Sequence, residues 1–208
     1  MGAGDSAAAE ADRRRARASE FRRLADEDEA AAGRYEIASI TERQTAAALA
    51  PLSAHGFHVL ADRRWPGARD GQVDFVVVGR SGVYLLDTKA WQDLVIDGDR
   101  VFRDQADVTE DVMHWADLAD QAQRHFAELG LPAGEVWPVI VRAGRIGKPV
   151  PVGPLRVVGE RDLASFLTAR GMHRLTDHQV DRVLTAAVAY FPAIGAPEPA
   201  APESPVVL

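Results

Sequence analysis

Two aspartates and a lysine carry the clearest chemical signal in this chain. They lie in the segment Gln72-Val-Asp74-Phe-Val-Val-Val-Gly79-Arg-Ser-Gly82-Val-Tyr-Leu-Leu-Asp87-Thr-Lys89. Val73 to Val78 and Val83 to Leu86 are β-branched and bulky apolar runs, bounded by Gly79-Arg80-Ser81-Gly82, which predicts two strands joined by a tight turn. With Arg80 and Ser81 as a two-residue loop, Gly79 pairs with Gly82, and the same register sets Asp74 opposite Asp87. Side chains directly opposed on one face have Cβ atoms about 4.5–5.5 Å apart. Lys89, two residues beyond Asp87, points to the same face because strand side chains alternate. Two facing carboxylates destabilise a sheet unless positive charge lies between them. A divalent cation removes the conflict, and the chemistry this suggests is metal-assisted hydrolysis.

The elements that must position these residues read as follows. Residues 1–32 form a charged N-terminal helix or arm, in which Arg13, Arg14, Arg15, Arg17, Arg22 and Arg23 precede Asp26 to Glu29. Ala and Arg favour helix, although cations first and anions last oppose the helix dipole. The pairs Arg22/Asp26 and Arg23/Glu27 have i,i+4 spacing. This arm reads as a solvated helix or oligomer contact, with a basic arm on a nucleic-acid backbone as the sharper alternative. A domain over 33–191 follows. After Gly33, Ser39 to Leu52 reads as a helix, then Phe57 to Leu60 as a strand, Trp65 to Gly71 as a loop, and then the hairpin. Leu94 to Phe102 around Asp97-Gly98-Asp99 resembles a second hairpin. Glu110 to Leu129 has helical spacing and stops before Gly130 and Pro132. Val136 to Val141 and Leu155 to Val158 are short apolar strands, followed by helices over 161–169 and 177–191. Residues 192–208 carry five prolines and read as a tail with no fixed fold. The core order, α-β-β-β-α-β, predicts a mixed sheet flanked by helices.

Composition bounds the function classes. The chain has 208 residues, is 47% hydrophobic and contains no Cys, which excludes disulfides and thiolate metal sites. No apolar run is long enough to span a membrane, and the N-terminus has no apolar signal core, so a soluble cytoplasmic protein is expected. The net charge of −7 is unfavourable for holding nucleic acid by overall field, so contact with it must come from local patches. The six His residues show no compact ligand spacing.

From Glu42 through Asp74 and Gly82 to Asp87-Thr88-Lys89-Ala90-Trp91 the chain resembles the nuclease-related domain family, placed in the PD-(D/E)xK restriction-endonuclease-like superfamily. The likeness covers roughly residues 38 to 145. It implies a restriction-endonuclease-like fold with the element order above and a metal-dependent nuclease cutting phosphodiester bonds, in DNA, by metal-activated water. Asp74, Asp87 and the Thr88 carbonyl would then ligate Mg²⁺ or Mn²⁺, as hard cations take oxygen ligands. Lys89 would position the attacking water, Glu42 would be the helical acid of the family, and Gln121 an accessory residue. Phe75 stands where relatives often carry His. The alternative on the same fold is an inactive module that binds nucleic acid or another protein, with the N-terminal helix open to oligomer formation.

Each residue has a plainer reading beside this one. Ser39-x-x-Glu42 fits a capping box, in which Glu42 would serve only its own helix. Trp65 and Trp91 flank the site in sequence and can stack on bases, but packing against the sheet is the commoner use. Gly144 to Lys148 lacks a phosphate-loop pattern and reads as a turn whose neighbours Arg142, Arg145 and Lys148 can approach a phosphate backbone.

Overall fold

The computed structural model describes residues 4–67, 71–130, 136–169 and 174–195. The chain forms two compact units, Met1–Ile40 and Thr41–Leu208. The first helix, α1, is continuous over Asp5–Leu49 and runs through the division. Gly33 does not interrupt it, although a mid-helix glycine costs about 1 kcal/mol against alanine. The surrounding Ala, Arg and Glu residues offset that cost. In the first unit Arg13 pairs with Glu10 at 2.7 Å, Arg15 with Asp12 at 2.7 Å, and Arg23 with both Glu20 and Glu27 at 2.6 Å. These pairs are exposed and screened by solvent, so they contribute little to stability.

The second unit is built on a six-stranded mixed sheet in the order β1-β2-β3-β7-β9-β8. Its strands are β1 (His58–Arg64), β2 (Gln72–Gly79), β3 (Gly82–Lys89), β7 (Val136–Arg142), β8 (Val150–Val152) and β9 (Leu155–Gly159). A separate three-stranded sheet joins β4 (Leu94–Asp97), β5 (Arg100–Arg103) and β6 (Ala106–Asp107). The helices are α2 (Thr109–Glu128), α3 (Glu160–Ala169) and α4 (Asp177–Tyr190). A 3₁₀ turn over Ala50–His55 ends at Gly56, whose φ of 75° suits glycine.

The predicted hairpin forms as expected, with Gly79 paired to Gly82 and Phe75 to Leu86. β3 then runs parallel to β7. That parallel pairing requires a crossover, which α2 supplies. Alternation along the strands sorts the core into two layers. Val76, Val78, Val83, Leu85 and Ile140 pack with Trp115, Ala122 and Phe126 of α2 and Val183 and Ala187 of α4. Phe75, Val77, Tyr84, Leu86, Val139 and Val141 pack with Leu49, Leu52 and Leu163 and Leu167 of α3. The chain is therefore a mixed α/β protein with a helix-flanked sheet, compatible with a restriction-endonuclease-like core. No described helix is long and apolar enough to cross a membrane.

Three expectations need correction or extension. Residues 39–49 are the end of one long helix and not a helix of their own, and 50–52 open the 3₁₀ turn. β8 lies on the sheet edge and was hidden by Pro151. Pro192 to Ile194 are tied to β1: Arg64 N–H donates to the Pro192 carbonyl at 2.8 Å and Ile194 N–H to the Asp62 carbonyl at 3.1 Å. Residues 196–208 lie outside the described residues.

Candidate active site

The β2–β3 register carries Asp74 to the position facing Asp87, one step beyond the last ladder pair, Phe75–Leu86. There the two strands stop exchanging backbone hydrogen bonds. In place of a ladder bond, the Thr88 N–H donates to the Asp74 carboxylate at 2.6 Å. Alternation puts both acids on the α2/α4 side of the sheet, since Val76, Val78 and Leu85 point that way.

The same register continues outward to β1. Ala61 pairs with Phe75 and Arg63 with Val73, so Asp62 stands opposite Asp74. Asp62 breaks the ladder there, with φ of 52°. This left-handed conformation is strained for most residues, and Asp tolerates it better than most. Three aspartates on three adjacent strands thus share one row. Asp62 was not among the residues picked out from the sequence; the signal that points to it is an acid in a strand of apolar alternation, once the partner strand is known.

The charges of neighbouring acids reach Asp74 and Glu42. Burial first, then the facing Asp87 and Glu42 charges, push the Asp74 carboxyl up to about 7, against the Thr88 N–H and Lys89, which favour the charged form. Burial likewise raises Asp87, with Lys89 opposing. Lys89 Nζ lies 2.8 Å from the Asp87 carboxylate, its side chain 37% exposed. Glu42 is raised by burial, then by Asp62 and Asp87, with Arg43 opposing. Glu42 therefore belongs electrically to this group. Its capping-box reading fails because Ser39 lies inside α1 and no helix begins there.

The next row along the sheet is basic. Arg64 pairs with Gln72 and Lys89 with Arg142, two residues beyond Asp62 and Asp87 respectively. The strand ends thus carry a line of carboxylates bordered by cations.

Other expected residues are placed elsewhere. Gln121 is exposed on α2. Two residues on, the Gln123 side chain accepts from the Val136 N–H, at the opposite end of β7 from Arg142. The structure does not bring Gln121 to the acids. Trp65 is 3% exposed and packs edge-on against Phe191 at 5.3 Å, so it is a core residue. Trp91 packs against the same core layer. Phe75 is buried on the opposite side of the sheet from Asp74.

The donor set suits a hard cation of limited demands. Asp74 and Asp87 each offer a carboxylate, the Thr88 carbonyl is a third oxygen, and burial raises both carboxyls, with the Asp87 charge adding to the rise at Asp74. Among the described residues no group of three or more His, Asp or Glu is gathered closely enough to hold an ion by itself. Mg²⁺ asks for no such cage, since one or two carboxylates with water and substrate phosphate satisfy it. In comparison with known sequences, the family model of the nuclease-related domain matches residues 37–143. No curated protein and no solved structure matched the chain.

Proposed function

Since more than half of its length matches the nuclease-related domain, the chain belongs to that family, and on this premise we propose that it is a divalent-metal-dependent nuclease hydrolysing DNA phosphodiester bonds. The observation that carries the reading is the pair of inward-facing carboxylates, Asp74 and Asp87, with Lys89 on Asp87 at 2.8 Å. Asp74, Asp87 and the Thr88 carbonyl would hold Mg²⁺ or Mn²⁺. When bound, the ion supplies charge stabilisation on the phosphate oxygens and lowers the pKa of water.

The chain's own residues do the rest. The Thr88 N–H fixes the Asp74 carboxylate, so its second oxygen is left for the ion. Asp74, with its carboxyl pushed up to about 7, would hold such an ion in its deprotonated form. Lys89 is anchored by Asp87 and still reaches solvent, where it orients the attacking water and offers charge to the phosphate. Glu42, which senses the charges of Asp62 and Asp87, would bind the metal or orient water.

The test is incubation of purified protein with DNA and Mg²⁺ or Mn²⁺. Wild type should cleave, and Asp87→Ala and Lys89→Ala should each reduce the rate by about a hundredfold or more while remaining folded. Equal cleavage by all three would mean a contaminating nuclease and sink the assignment. The net charge of −7, unfavourable for capturing a polyanion, favours a second reading, a nucleic-acid-binding or protein-interaction module on the same fold without turnover. Metal-independent, salt-sensitive binding with no cleavage under any divalent ion would select it.

A further inference from the structure

Arg142 and Arg145 stand together at the end of β7 and the turn that follows. One residue gathers both. The Arg142 guanidinium donates to the Gln92 carbonyl at 2.9 Å, and the Arg145 guanidinium donates to Gln92 Oε1 at 2.9 Å. Two cations are thus drawn to one neutral residue, Arg142 to its main-chain carbonyl and Arg145 to its side-chain amide oxygen. Among the described residues neither guanidinium meets a carboxylate within ion-pair distance. Arg142 Nε is buried with no acceptor at all. Burial and the Arg145 charge both lower the Arg142 pKa, with Asp93 opposing them. Positive charge has been concentrated here and left uncompensated.

The support beneath the pair is rigid. Arg145 N–H donates to the Arg142 carbonyl at 3.3 Å, and the Arg145 carbonyl accepts from Arg161 N–H at 3.1 Å. The nearby acids are engaged with the main chain: Glu160 accepts from Gly144 N–H at 2.6 Å and Asp162 from Gly147 N–H at 2.7 Å. They hold the turn and do not neutralise the arginines. Gly159 permits this approach, because a Cβ there would lie 2.5 Å from Gly147 N and 2.7 Å from the Arg145 carbonyl oxygen. A preorganised pair of this kind loses little entropy when a ligand arrives.

Its position relates it to the acids. Arg142 is the register partner of Lys89, and Ala143 N–H donates to the Lys89 carbonyl at 3.0 Å. Registered parallel neighbours share a face, so the Arg142 side chain leaves the sheet on the same side as Lys89 and Asp87. A guanidinium pair beside a site for phosphodiester chemistry matches the fork geometry with which arginine binds phosphate.

We propose that Arg142 and Arg145, gathered by Gln92, form a phosphate subsite that grips the nucleic-acid backbone beside the scissile phosphate. The inference rests on the nuclease reading for what lies next door, but its own content is a binding site. It also gives the acidic chain a local means of holding a polyanion.

The test measures binding apart from cleavage. The full chain is titrated in EDTA against a labelled DNA duplex of about 20 base pairs, and against RNA of the same sequence, at several salt concentrations. The paired variant Arg142→Gln with Arg145→Gln should weaken binding about tenfold or more and reduce the salt slope by one to two contacts, roughly. Lys148→Gln removes the same kind of charge from the same loop outside the pair and should weaken binding much less. Arg145→Gln alone, with its melting curve, serves if the paired variant does not fold, and Arg145→Lys should restore part of the loss. Unchanged affinity and slope in a folded variant, or an equal loss from Lys148→Gln, would overturn the subsite. If wild type binds through these arginines yet never cleaves with Mg²⁺, the subsite stands and the nuclease reading fails. If cleavage is intact and KM is unmoved in the arginine variants, the reverse holds.

Discussion

Asp74 is the residue at which stability and function pull in opposite directions. Its carboxyl is at about 7 in the folded chain and ordinarily near 3.8, so the folded state binds the extra proton between those values. Stability from this group is fully present below about pH 4 and is lost as pH rises through about 7. The metal-free protein should therefore melt at a lower temperature at pH 8 than at pH 5, and Asp74→Asn should flatten the difference. Added Mg²⁺ should raise Tm more at pH 8 than at pH 5, because the ion binds the deprotonated site. Calorimetric scans at both pH values, with and without Mg²⁺, check the sign. At this scale the sequence was informative for local relations only. Asp74, Asp87 and Lys89 follow from a two-residue turn and period-two alternation. Asp62 does not, because its place opposite Asp74 depends on how β1 registers with β2 across the intervening loop, which no local pattern sets. Glu42 was ambiguous for a related reason: whether Ser39 caps a helix depends on whether the chain upstream is already helical.

At the scale of elements, the crossing of the β9 end with the turn after β7 is a backbone-to-backbone contact. Gly159→Ala would drive a Cβ into Gly147 N and the Arg145 carbonyl, neither of which can rotate away. We expect a loss of roughly 2 kcal/mol or more in stability, read by urea denaturation, together with weaker DNA binding although no charge is altered. The start of α4 is a separate case. The Thr176 hydroxyl accepts from Gln179 N–H at 3.3 Å and the Gln179 side chain accepts from Thr176 N–H at 2.8 Å. Thr176→Ala should cost about 1 kcal/mol, seen as a lower midpoint with an unchanged slope. Most elements were legible because apolar period and glycine punctuation coincide. β8 was not, since Pro151 weakens a strand reading and is tolerated here on a sheet edge. The length of α1 was not, because Gly33 is an ordinary stop signal that the flanking helix formers override.

For the whole molecule, both core layers are built from Leu49 onward. A chain comprising residues 41–208 should accordingly keep the thermal midpoint of the full chain within about 3 °C, a shift that corresponds to roughly 1 kcal/mol. A larger fall in circular-dichroism melting would show that the first unit contributes to the second. The net charge of −7 opposes a polyanion at long range, so affinity has to be generated at short range, where Lys89 and the arginines stand.

The strap from Pro192 to Ile194 also has a bearing on how the protein comes into being. Arg63 bridges Ala193, and Ile194 N–H holds the carbonyl of Asp62, across about 130 residues of chain. Closing so long a loop carries an entropic cost of roughly 4 kcal/mol before any contact rewards it. Local hairpins form in microseconds, whereas this contact belongs to the slow, late part of assembly. During synthesis this outer brace on β1 therefore waits until the ribosome has delivered the residues up to Ile194, long after the β1–β2 pairing that sets Asp62 opposite Asp74 can form. The main chain of the outermost aspartate gains this hydrogen bond from one of the last described residues, so its bracing comes late in the order of the chain.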